Sequence, residues 1–154
     1  MAGGGLRPAS ELRLRPATAW EAVSEAADAP GIPLPAGSWG RDGDFSVWDN
    51  PATADYWRRV EEAEESLPLV AALDPRLLPA ALRQALLLQA SDWPFLVENG
   101  SARDYAERRI EEHSAAIRSL VRLAGRPGPR GREEALFLAR LARRDRAFAA
   151  ELGD

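Results

Sequence analysis

The chain has 154 residues, 45% of them apolar and 29% charged, with a formal net charge of −4; this excludes wholesale disorder and suits one domain with a core of its own. It has no cysteine and a single histidine, His113, which rules out disulfides, thiolate chemistry and the usual His/Cys zinc site, so no cofactor or metal is expected. The acidic balance argues against nucleic acid or a membrane surface as partner, and no apolar run reaches the roughly 18 residues that a membrane span needs; a cytoplasmic protein is expected.

In chain order, residues 1–11 are Gly-rich and aperiodic, which reads as a disordered leader. Residues 12–36 read as a strand-helix remnant and linker. Within them, Leu12-Arg13-Leu14-Arg15 alternates like a short strand with no partner in sight. Thr18 and Glu21 then form a capping box for a helix to about Ala27, with Trp20 placed to staple it. From residue 28 to residue 50 the composition turns to Pro, Gly, Ser, Trp and Asp, a loop longer than compact domains usually carry without a function. Residues 37–154 read as a helical domain. Asn50 and Pro51 open a helix with Tyr56, Val60, Ala63 and Leu67 on its apolar stripe, ending at Pro68. Asp74-Pro75 starts a helix that is apolar on nearly every face through Ala90 and is therefore central, with Pro94 ending it and Asn99-Gly100 turning the chain. Ser101 and Asp104 cap a long helix carrying Ile110, His113, Ile117 and Leu120, closed by Gly125. After a Pro/Gly-rich link at 126–131, Phe137, Leu141, Phe148 and Leu152 recur at helical spacing. The expected fold is mainly α, a bundle of four to five helices with a long N-terminal Gly/Trp loop and a short orphan strand.

Few residues carry chemistry. His113 lies on an apolar stripe without a nucleophile beside it and reads as a hydrogen-bonded structural residue. Glu61, Glu62, Glu64 and Glu65 read as a solvated face, since nothing sets one of them in the apolar pocket that an acid catalyst needs. Gly37, Gly40 and Gly43 lack the Lys-Ser/Thr of a phosphate loop. All 20 basic residues are arginine; set beside glutamates on helix faces, they read as compositional bias. The aromatic residues say more. Trp39 and Trp48 share one Gly-bearing loop with Asp42, Asp44 and Ser46, and a loop indole next to short polar acceptors suits a sugar, whose C–H face stacks while its hydroxyls are hydrogen-bonded. Docking of the loop onto the bundle is the alternative. Trp57 reads as core, and Trp93, beside Asp92, is undecided.

The stretch GSWGRDGDFSVWDNP at 37–51 closely resembles the loop that opens the helical C-terminal region of family 57 1,4-α-glucan branching enzymes, and LLLQASDWPFL at 86–96, YAERR at 105–109 and RRDRAF at 143–148 resemble later signatures of the same region. The similarity runs over roughly residues 12–154. It implies a domain packed beside a catalytic (β/α)7 barrel, in the same chain or a separate one, whose Glu nucleophile and Asp acid/base do not belong to this chain; the residues at 12–15 would be the barrel's last strand. It also implies that Trp39 and Trp48 line an α-glucan groove, where a wall excluding water helps an acceptor sugar compete at the glycosyl intermediate. The expected substrate-binding set is Ser38, Trp39, Gly40, Asp44, Trp48, Asp92 and Trp93, with no catalytic residue. The competing expectation is a stand-alone helical scaffold that does not bind sugar.

Overall fold

A computed structural model describes residues 16–26, 30–40, 42–147 and 152. The expected leader at 1–11 and strand at 12–15 lie outside them. The chain divides into two compact units, Met1–Pro35 and Ala36–Asp154. In the first, helix α1 (Ala19–Glu25) has the expected capping box, with Glu21 N–H donating to the Thr18 hydroxyl at 3.2 Å and Thr18 N–H donating to the Glu21 carboxylate at 2.7 Å. None of its residues is buried, and Trp20, 78% exposed, does not staple it.

The second unit is a bundle of five helices: α2 (Ala54–Leu73), α3 (Leu78–Leu88), α4 (Asp92–Asn99), α5 (Arg103–Ala124) and α6 (Arg132–Arg144), with a 3-10 turn at Pro75–Leu77 leading into α3. No described residue is in a strand, and no described helix is long and apolar enough to cross a membrane. Helix α3 is central as expected, packing on α2, α5 and α6. Two apolar clusters hold the bundle together. One joins Tyr56 and Val60 of α2, Leu88 of α3, Val97 of α4 and Ile110 of α5; the other joins Val70, Leu77, Leu120 and Leu141. Burying each such side chain contributes about 1.5–3 kcal/mol.

Several element boundaries differ from the expectation. Asn50 and Pro51 do not open α2, which starts at Ala54 after the N-cap Thr53. Pro68 does not end α2, which runs on to Leu73; proline there costs one backbone bond, roughly 3 kcal/mol in a helix interior, and the continuation buries Val70 completely while Asp74 N–H still caps Val70 C=O at 2.9 Å. Pro94 does not terminate α3, which stops at Leu88; it sits in the first turn of the separate helix α4, where a missing N–H leaves no intrahelical bond unmade. Helix α6 ends at Arg144, where Asp145 turns inward, and residues 145–147 are not helical; Phe148 lies outside the described residues. Gly100 does turn the chain, with a left-handed φ of 71°, and Gly125 closes α5. The N-cap of α5 is Ala102 rather than Ser101, and no side chain caps the helix.

A buried polar network ties α3, α5 and the end of α6 together. Gln84 Nε2 donates to Asp145 Oδ2 at 2.9 Å, His113 Nδ1 lies 2.8 Å from Gln84 Oε1, and Arg109 Nη2 lies 3.0 Å from His113 Nε2. The guanidinium can only donate, so Nε2 accepts and the imidazole carries its proton on Nδ1. Burial, reinforced by the Arg109 charge, pushes the His113 pKa down to about 4. His113 is thus the hydrogen-bonded structural residue expected. Among the described residues no buried side-chain nitrogen or oxygen lacks a partner.

Candidate functional site

The loop before α2 is shaped by hydrogen bonds of its own. Ser38 N–H donates to Gly43 C=O at 2.8 Å, Gly43 N–H donates to Gly40 C=O at 2.9 Å, and the Ser38 hydroxyl donates to Asp44 C=O. Gly40 needs to be glycine: its φ is 101°, and a Cβ there would sit 3.2 Å from Cγ2 of the buried Val47. Asp44 then organises the next turn, its carboxylate accepting from Ser46 N–H at 2.9 Å. Ser38, Gly40 and Asp44 therefore set the backbone that presents Trp39 and Trp48.

The second half of the loop is anchored to α2 through one acceptor. The carbonyl of Trp48 takes a hydrogen bond from the Thr53 hydroxyl at 2.8 Å and another from the Trp57 indole N–H at 2.7 Å. Thr53 is fully buried, and its hydroxyl also accepts from Asn50 N–H at 3.0 Å. Trp57, expected in the core, is instead 36% exposed, and its ring lies edge-on to the buried Tyr56 at 4.9 Å. Its position near the start of a surface helix, next to the loop it ties down, explains the difference.

Trp39 and Trp48 come together, their ring centroids 6.3 Å apart and their planes tilted by 46°. Trp39 is 73% exposed and Trp48 half-buried. A third ring completes the cluster. Phe95 of α4 lies 5.5 Å from Trp39 and 5.7 Å from Trp48, edge-on to the latter. Such pairs contribute about 0.5–1.5 kcal/mol each beyond burial. Phe95 was not among the expected site residues. The signal was there: Phe95 is three residues after Asp92, so once Asp92–Asn99 is a helix the two share a face, with the exposed Asp92 carboxylate on the side that carries Phe95. Reading Pro94 as a helix terminator hid that spacing.

Trp93 goes elsewhere. Two positions before Phe95 on the helix, it points the other way. Its indole N–H donates to Leu87 C=O at 2.7 Å, its ring lies edge-on to Tyr105 at 6.0 Å and 6.5 Å from His113, and it packs on the apolar cluster of α2, α4 and α5. Six of the seven expected site residues thus lie on the loop or on the α4 face that meets it, and Trp93 does not. Among the described residues no group of three His, Asp or Glu side chains converges as a metal site.

The class these features define is an all-helical domain that presents aromatic rings on a fixed loop at one edge. Comparison with known proteins narrows the class. Residues 53–151 match the family model described as 1,4-alpha-glucan branching enzyme, C-terminal. The chain is 34% identical over 124 residues to a 1,4-alpha-glucan branching enzyme of Thermococcus kodakarensis, covering 76% of this chain and 18% of that protein. It is 32% identical over 129 residues to a probable 1,4-alpha-glucan branching enzyme of Mycobacterium tuberculosis, covering 75% of this chain and 24% of that protein. The crystal structure of the Thermococcus kodakaraensis protein, a GH57 branching enzyme in complex with glucose and additives, superposes with a TM-score of 0.72 at 30% identity over 86% of this chain and 26% of that one. The chain belongs to the C-terminal domain family of 1,4-alpha-glucan branching enzymes of the GH57 type. It spans about a fifth to a quarter of the length of these relatives.

Proposed function

We propose that this domain binds α-glucan through the Trp39–Trp48 loop and acts as the accessory part of a 1,4-α-glucan branching enzyme, beside a catalytic (β/α)7 barrel supplied in the same polypeptide or as a partner chain. The observation that carries the reading is the solvent-facing aromatic cluster. The Trp39 indole, 73% exposed on a loop tied by Ser38, Gly40 and Asp44, forms with Trp48 and Phe95 a contiguous aromatic patch, the kind of surface that marks a binding site. The C–H face of a pyranose suits the ring, and Asp44 of the same loop and Asp92 on the helix face that carries Phe95 supply carboxylate acceptors for sugar hydroxyls. In this reading bond cleavage and transfer belong to the barrel, and this domain orients the glucan and keeps water from the intermediate.

Titration with maltoheptaose, followed by tryptophan fluorescence, tests the reading. A saturable change is expected that disappears in Trp39→Ala and is reduced in Trp48→Ala. A second reading, a scaffold domain whose loop merely docks on the bundle, draws on the half-burial of Trp48 and the two hydrogen bonds on its carbonyl. A flat titration, or one indifferent to both substitutions, favours that scaffold.

A further inference from the structure

The three rings of the cluster are not equivalent, and resting on the glucan reading above, we propose that Phe95 is a positioning residue: together with Trp48 it braces the Trp39 indole, and Trp39 alone presents a ring face to sugar. The first argument is space. A pyranose held between two rings needs van der Waals contact on both sides, a separation of roughly 7–8 Å between parallel planes. Trp39 and Trp48 are 6.3 Å apart and tilted by 46°, a wedge already closed by Phe95 at 5.5 and 5.7 Å. Sugar cannot enter it. The glucan then lies on the outer face of Trp39, the most exposed ring of the three.

The second argument concerns what fixes that ring. The hydrogen bonds of the 38–44 turn run through backbone groups and the Ser38 hydroxyl, so they shape the main chain and leave the Trp39 side-chain torsions free. Contacts with Trp48 and Phe95 set the torsions instead. Of these two, Phe95 stands on a helix, between the buried Pro94 and the partly buried Leu96, on an element that Trp93 ties to Leu87 C=O and Arg103 ties to Val97 C=O at 2.7 Å. Phe95 therefore transmits the rigidity of the bundle to a loop indole, and an indole already held in its bound rotamer spares the ordering cost of binding, about 3- to 10-fold in affinity for one large side chain.

The test compares Phe95→Leu, which keeps apolar volume and loses the ring, with Phe95→Tyr, which keeps the ring; Phe95→Met serves if the leucine variant does not fold. Two readouts are taken on the whole chain: the far-ultraviolet circular-dichroism couplet of the paired indoles without sugar, assigned by its loss in Trp39→Ala, and the Kd for maltoheptaose. Phe95→Leu is expected to collapse the couplet and weaken binding about 3- to 10-fold, with Phe95→Tyr restoring both. A couplet and Kd unchanged in Phe95→Leu overturn the brace. If the wild-type chain does not respond to maltoheptaose, the glucan reading falls by itself. The brace is then decided by the couplet alone, its loss in Phe95→Leu supporting it and its persistence refuting it.

Discussion

Acidification from pH 7 to pH 4.5 is expected to destabilise the fold through His113, before most carboxylates protonate. The imidazole is fully buried, its Nδ1–H donates to Gln84, and its Nε2 accepts from Arg109. Adding a proton to Nε2 sets an N–H against a guanidinium N–H and a charge in the core, which is why burial first and Arg109 second push its pKa from 6.5 down to about 4. Between those values the unfolded chain binds more protons than the folded one, so stability rises with pH across this window and is lost as pH falls through it. At about 1.4 kcal/mol per pH unit, the loss accumulated by pH 4.5 is at most roughly 2–3 kcal/mol. Asp145 acts in the same direction at lower pH. Burial alone would raise its pKa, but the Arg144 and Gln84 hydrogen bonds outweigh that and hold it below the usual 3.8, so its contribution fades only under that value. Urea melts of the wild type and His113→Asn, which cannot titrate, at steps from pH 7 to 4.5 would check this. The wild type is expected to lose more stability over the range than the variant, whatever their difference at pH 7. Equal slopes would refute the reasoning.

Gly40→Ala forces a positive φ of 101° on a side chain and brings a Cβ to 3.2 Å from Val47; a cost of about 1–3 kcal/mol in chemical melts and a displaced Trp39 are expected, whereas Gly31→Ala, which meets open space, is expected to be silent. Pro68→Ala restores the N–H that α2 lacks at an exposed position, and a gain of about 1–3 kcal/mol in thermal or urea melts is expected. Leu88→Ala, at a fully buried side chain of the cluster beneath α4, is expected to cost about 2–5 kcal/mol.

What was legible in the sequence is what local chemistry dictates. Thr18 and Glu21 capped their helix as read, and Gly100 and Gly125 ended theirs, because these signals act through backbone groups a few residues away. The apolar face of the third helix identified its central place for a similar reason. The prolines misled: Pro68 is overridden by the burial of Val70 two residues on, and Pro94 is harmless only because α4 begins at Asp92. Both outcomes depend on tertiary packing, which no local rule contains. Within the candidate site, the loop residues were recognisable from composition and resemblance. Phe95 was not, since its role rests on two contacts with residues 56 and 47 positions away. Trp57, read as core, is partly exposed, and Trp93, undecided from the residues and set in the binding group by the resemblance, is partly buried against the apolar cluster, because where an indole N–H finds a backbone carbonyl decides how deep the ring sits.

The most direct measurement is a two-dimensional nitrogen–proton spectrum of the five tryptophan indoles during addition of maltoheptaose. The Trp39 resonance is expected to move furthest, with a smaller change at Trp48, while Trp57 and Trp93, whose N–H groups are committed to the carbonyls of Trp48 and Leu87, stay in place. Five unmoved resonances at high sugar concentration, or movement at Trp93 with Trp39 unchanged, would contradict a glucan surface built on this loop.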